Sequence, residues 1–159
     1  MRVELRLPAQ AAAGEVPRAV VVDTNIVLDL LVFADPAVAS LRELLAQGRL
    51  QWVATQAMRD ELERVLAYPQ IVPRLAFYGL DAAAVLGAFD TRVRVVPEAA
   101  RVPSVCKDAD DQKFIDLAVA HRAILLSKDK AVVCMRKRLL AQDAHVATVL
   151  VLEPAACAA

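Results

Sequence analysis

Apolar positions along the chain fall into short dense runs separated by turn-forming residues, and their spacing switches repeatedly between that of a buried strand and that of a helix. Ala19 to Val22 is wholly apolar and largely β-branched, the pattern of a strand covered on both faces. The run stops at Asp23, and NIVLDLLVF has helical spacing up to Asp35 and Pro36, a helix-start pair. A second helix is predicted through VASLRELLAQ, bounded by Gly48. LQWVA then reads as a short strand, and Thr55 caps a helix through QAMRDELERVLAY that ends before Pro69. Residues 71 to 92 give two helices separated at Gly79 and Leu80, with Asp81 capping the second, and VRVVP gives a strand closed by Pro97. The cycle repeats twice more, with a helix over 111–121, the strand AILLS, a helix over 130–141 and the strand VATVLVL.

Regular βα alternation with short connections predicts an α/β fold, a three-layer α/β/α sandwich around a central parallel sheet of about five strands. The predicted domain spans 18–155, preceded by a loose N-terminal extension over 1–17 and followed by a tail over 156–159. A chain of 159 residues with 58% hydrophobic content is enough for one well-covered core. Nineteen basic residues balance nineteen acidic ones, so any polyanion must be held by local features. The three cysteines, Cys106, Cys134 and Cys157, match neither a disulfide framework nor a zinc spacing and fit a reduced cytoplasm. Charges at Arg2, Glu4, Arg6 and Glu15 interrupt the N-terminal stretch, which therefore does not read as an export signal, and no apolar run approaches a membrane span.

In such folds reactive groups collect beyond the carboxyl ends of the strands, where strand order reverses. Four acids are placed there by the predicted topology: Asp23 ends the first strand, Glu61 lies in the helix after the second, Asp111 opens the helix before the fourth, and Asp129 follows that strand. Crowded carboxylates raise one another's pKa unless a cation neutralises them, and all-oxygen ligands select Mg²⁺ or Mn²⁺ over zinc. The competing reading is helix capping, since Asp23, Asp108 or Asp110, and Asp129 all precede apolar-periodic segments. Joint placement at one edge, with Asp23 directly after an apolar strand, favours a metal site.

The segment VVVDTNIVLDLL resembles the opening motif of the PIN-domain family, an apolar strand followed by Asp, Thr or Ser, and Asn. MRDELERVLAYP is similar to the family's helix bearing a second acid, and CKDADDQKFIDLAVAHRAILLSKDKAV to its third and fourth acidic motifs. The likeness extends over roughly 18–155 and is strongest to the bacterial toxin components of toxin and antitoxin systems. It implies a Mg²⁺- or Mn²⁺-dependent endoribonuclease acting on single-stranded RNA and leaving a 5′ phosphate and a 3′ hydroxyl. Asp23, Glu61, Asp111 and Asp129 are its implied catalytic acids. Asp23, Asp111 and Asp129 are the implied metal ligands, and Glu61 orients water or a second ion. Thr24, Asn25 and Ser127 are the implied hydrogen-bonding supports of the carboxylates. Asp108, which with Asp110 doubles the third acidic motif, is a further candidate ligand.

Lys107, Lys113, Lys128 and Lys130 form a candidate cationic rim for an RNA backbone. Trp52, in a predicted strand, reads as core, and His121 and His145 as ordinary surface residues at a helix end and in a loop. The insert from Pro69 to Phe89 carries more apolar residues than two short helices over a sheet edge require. That surplus fits a homodimer interface or a seat for a small antitoxin protein, with packing on its own domain as the alternative. Two rival functions remain: a noncatalytic PIN-like RNA-binding or scaffold protein, and a receiver-like phosphoacceptor domain. VRVVPE lacks the aspartate a receiver needs after its third strand, and the DTN loop with so few glycines disfavours a dinucleotide site.

Overall fold

The computed structural model describes residues 1–154, so the tail expected at 156–159, and residue 155 before it, lie outside the described residues. In chain order the elements are β1 (Glu4–Pro8), β2 (Arg18–Val22), α1 (Thr24–Leu31), α2 (Ala39–Ala46), β3 (Leu50–Ala54), α3 (Gln56–Leu66), α4 (Val72–Phe77) and α5 (Ala82–Arg92). There follow β4 (Arg94–Val95), α6 (Gln112–His121), β5 (Ile124–Leu126), α7 (Lys130–Val133), α8 (Arg136–Leu140), β6 (His145–Ala147) and β7 (Val149–Glu153). Single 3-10 turns, Pro36–Val38 and Ala109–Asp111, lead into α2 and α6.

Five strands make one sheet in the order β4-β3-β2-β5-β6, every neighbouring pair parallel, with helices flanking it as the alternation predicts. The first of these strands, β2, sits at the centre because its apolar run tolerates cover on both faces: Val20 and Val21 are wholly buried. From β2 the chain steps outward to β3 and β4, then returns to β5 and β6 on the other side. The reversal falls between β2 and β5, so a crevice opens past their carboxyl ends. Beneath it Ile115, Leu117, Ile124 and Leu125 are fully buried. Trp52 is core as expected, meeting Phe89 edge-on with ring centroids 5.3 Å apart.

Several elements differ from the sequence reading. The N-terminal stretch is not loose throughout: β1 pairs in parallel with β7 in a separate two-stranded sheet, Glu4 opposite Val149 through Pro8 opposite Glu153. Its alternating exposure puts Leu5 and Leu7 against the core. Thr148 splits the expected last strand, because its N–H donates to the Val3 carbonyl (2.9 Å) and its hydroxyl accepts from the Val3 N–H (2.9 Å), turning the chain from β6 to the β1 partner. The helix expected over 130–141 is two helices, and His145 lies in β6 rather than a loop. The strand expected over 93–97 shrinks to two exposed residues at the sheet edge. Among the described residues no single helix is long and apolar enough to cross a membrane.

Candidate functional site

Asp23 stands where β2 ends and α1 begins. Its N–H extends the ladder to the Leu126 carbonyl (2.9 Å), while its own carbonyl accepts from Ile26 and Val27 in the first turn of α1. The side chain makes no capping hydrogen bond and is buried. Its Oδ2 accepts instead from Ser127 Oγ at 2.5 Å. Ser127 is completely buried at the end of β5, and the same hydroxyl accepts the N–H of Asp129 at 3.0 Å. One hydroxyl thus ties the acids that close the two central strands. Asp129 does cap α7, through Ala131 N at 2.9 Å, so ligand and cap are compatible roles for its two oxygens.

Asp108, Asp111 and Asp129 each offer a carboxylate oxygen, and the three oxygens lie within 4.8 Å of one another. Asp23, Glu61 and Asp110 line the same cavity, of about 700 Å³. Asp108 is therefore drawn in with Asp111 rather than standing outside, and it caps the 3-10 turn that delivers Asp111, accepting from Asp110 N at 3.0 Å. Asp111 is buried, and its Oδ2 has no hydrogen-bond partner among the described residues. Burial first, then the charge of Asp23 and the proximity of Asp129 and Asp108, raise its carboxyl to about 8. Burial likewise raises Asp23, with Glu61 and Asp129 adding repulsion and the Ser127 hydrogen bond opposing it. A positive charge placed in the pocket would relieve both shifts.

Glu61 reaches the pocket from α3 with both oxygens engaged. Thr24 Oγ1 donates to one, and Lys113 Nζ to the other at 2.8 Å. Lys113 also donates to the Asp110 carbonyl. Two members of the expected cationic rim are already paired with acids of this chain, since Lys128, though exposed, pairs with buried Asp29 at 2.6 Å. Lys107 and Lys130 are exposed. Asn25 lines the cavity beside Asp23, with its Oδ1 buried and unpartnered among the described residues.

The sequence reading did not single out Gln112 and Asp116, two buried polar residues one turn apart on α6. Gln112 Nε2 donates to Asp116 Oδ1 (2.9 Å) and to the Ser104 carbonyl (3.0 Å), and its Oε1 accepts from Cys106 N (2.7 Å). Asp116 Oδ1 also accepts from Val102 N (3.0 Å). These bonds pin residues 102–106, which lead to Asp108, onto α6, which begins directly after Asp111. Their i, i+4 spacing on an otherwise apolar helix was the available signal. Cys106 is not a reactive thiol: burial and nearby acidic charge push its pKa up, and its Sγ donates to the Ala131 carbonyl.

Fold and site together define an α/β sandwich with an acidic pocket at the switch point of its parallel sheet. Residues 19–131 match the family model described as PIN domain, and the chain belongs to the PIN-domain family. Among solved structures it is similar to the crystal structure of VapBC2 from Rickettsia felis bound to a DNA fragment from their promoter. The TM-score is 0.53 at 15% identity, covering 86% of this chain and 98% of that one. No curated protein matches it at a significant level.

Proposed function

We propose that the protein is a Mg²⁺- or Mn²⁺-dependent endoribonuclease that hydrolyses single-stranded RNA as the toxin of a toxin and antitoxin pair. The observation that carries this reading is the Asp108, Asp111 and Asp129 trio, with one buried carboxylate oxygen left without a hydrogen-bond donor. Hard oxygen ligands at that spacing fit a divalent cation, and no His or Cys of the described residues joins them. Asp111, Asp129 and Asp23 hold the ion in this reading, with Asp108 as a fourth ligand. A divalent ion there lowers the pKa of water and offsets phosphodiester charge.

The chain's own residues supply the rest. Ser127 holds the Asp23 carboxylate and the Asp129 backbone in fixed relation, and the Ala131 N–H holds one Asp129 oxygen, so neither carboxylate must be ordered during the reaction. Thr24 and Lys113 fix Glu61, which faces the cavity as the group that orients the attacking water. Membership of the PIN family supports nuclease chemistry. The resemblance to toxin components supports the antitoxin partner, the apolar surplus of the Pro69 to Phe89 insert a homodimer, and the cysteine usage a cytoplasmic setting. A scaffold role gains no support from a pocket that retains every acid.

The test is cleavage of a mixed single-stranded RNA panel by the full chain with Mg²⁺ or Mn²⁺, with chelator, and with Asp23→Asn. Products should form with metal alone, and activity that survives both chelator and Asp23→Asn rules out the metal mechanism. Tight RNA binding without cleavage by the wild-type protein supports the scaffold role instead.

Lys113 bears on the number of ions. Its ammonium already neutralises Glu61, which leaves the acid trio for a single ion. Titration calorimetry with Mn²⁺ should give one ion per chain for the wild type and two for Lys113→Met. An unchanged count in the variant refutes this assignment.

A further inference from the structure

We propose that the cleft beside the acid pocket, walled by Phe33, Arg74 and Tyr78, is a nucleobase subsite that seats an unstacked base of single-stranded RNA next to the scissile phosphate. The inference rests on the ribonuclease reading and adds to it a location and a reason for single-strandedness.

The chain has seven aromatic residues. Trp52, Phe89 and Phe114 are buried in the core. Of the other four, three line the acid pocket or the cleft beside it, and Phe77 lies against one of them, Tyr78. Tyr68 lines that pocket, while Phe33 and Tyr78 line the adjoining cleft, of about 490 Å³, large enough for a nucleotide. Asn25 and Leu28 line both, so the two spaces adjoin along one wall. The Arg74 guanidinium lies 3.8 Å over the Phe33 ring, and the Phe33 and Tyr78 rings are 5.9 Å apart. Arg74 and Tyr78 are both exposed. An arginine whose guanidinium lies over one aromatic ring leaves its solvent side for a base and its remaining N–H groups for a phosphate.

The balance of charge agrees. The lysines facing the two spaces, Lys113 and Lys128, are bound to Glu61 and Asp29. Of the two acids on the cleft, Asp29 is held by Lys128, and Asp35 caps the turn into α2 by accepting from Ala37 N. Of the cations lining the two spaces, Arg64 on the acid pocket and Arg74 on the cleft form no ion pair among the described residues and are left to meet a polyanion. A guanidinium and an exposed aromatic ring side by side recognise a base by its π face. A duplex hides that face, so the subsite selects single strands.

The experiment uses the full-length Asp129→Asn protein in Mg²⁺, so that substrate persists, and a 12-nucleotide single-stranded RNA with one 2-aminopurine moved position by position. Quenching should concentrate at one or two adjacent positions. Arg74→Ala and Tyr78→Ala should each abolish it and weaken binding about tenfold, while Tyr78→Phe retains it. The same RNA in a duplex should bind more weakly and be indifferent to Tyr78→Ala. Circular dichroism and thermal melts, compared with the Asp129→Asn parent, check that the variants are folded. RNA binding and quenching that survive Arg74→Ala and Tyr78→Ala overturn the subsite and leave the ribonuclease reading standing. So does loss of self-association in those variants with RNA binding intact, because the surface is then a contact between copies. A protein that binds no RNA overturns both.

Discussion

Replacing Asp111 by Asn should lower RNA cleavage on the order of a thousandfold and, in the same protein, raise the melting temperature of the metal-free state. The first effect follows from removing a ligand from the trio, since a bound divalent ion supplies several kcal/mol of transition-state stabilisation and each ~1.4 kcal/mol is a factor of ten in rate. The second follows from what the carboxylate costs without metal. Asp111 is buried beside Asp23, Asp108 and Asp129, so without metal the folded state must either keep a proton that the unfolded chain has released or carry a crowded buried charge, and an amide of the same shape avoids both. For a chain of this length each kcal/mol of relief is worth roughly 2–4 °C. Cleavage rates and thermal melts in chelator measure the pair. Destabilisation together with lost activity contradicts the metal-centre assignment, because it makes Asp111 a structural acid.

The second large effect is on pH. The Asp111 carboxyl rises from an ordinary value of 3.8 to about 8 in the folded protein. The folded state therefore keeps its proton over a range where the unfolded chain has lost it. Stability from this group is fully present below pH 3.8, declines as pH rises, and is lost above about 8. Asp23 shifts in the same direction and reinforces the trend. Divalent metal binds the deprotonated pocket and opposes it. At pH 8 a concentration of Mg²⁺ about a hundredfold above the dissociation constant should stabilise the protein by about 2.7 kcal/mol, a rise of roughly 5–10 °C. At pH 5 the proton competes for the same oxygens and the rise should be much smaller. Thermal melts at the two pH values, with Mg²⁺ and with chelator, check this. Equal metal-induced shifts at both would show that the ion does not displace the Asp111 proton.

The sheet was legible because its strands announce themselves. Val20 to Val22, LQWVA and ILL are short apolar runs with polar or turn-forming residues at their ends, and burial on both faces leaves no alternation to decode. Asp23, Asp111 and Asp129 could be placed at one edge because each sits at the end of a strand or the start of a helix, a position that strand order alone determines. Which acids draw closest was not legible. The i, i+3 step from Asp108 to Asp111 becomes a shared site only through the 3-10 turn at Ala109–Asp111, and nothing in the composition of ADD distinguishes that turn from a full helix. The fate of the lysines was hidden for a similar reason: Lys113 and Lys128 flank the acids in sequence, yet their partners, Glu61 and Asp29, come from other parts of the chain. In β1 the signal was present. ELRL alternates strictly between polar and apolar residues, the mark of a half-buried edge strand, whereas its charges draw attention to export and away from period.

That edge strand also sets an order of events. β1 precedes all four acids in the chain, but its partner β7 follows the last of them, and the Val3 to Thr148 bonds span 145 residues. Closure of the small sheet is a contact of very high sequence separation, slow to form and absent from every shorter nascent chain. Until then Leu5 and Leu7 have no strand to lie beside, while β2, β3 and β5 are free to assemble. A truncation before Val149 should thus retain the acid-bearing strands yet leave an apolar edge open to aggregation or to a chaperone. The last strand acts as the clasp of a fold whose chemistry is laid down before it.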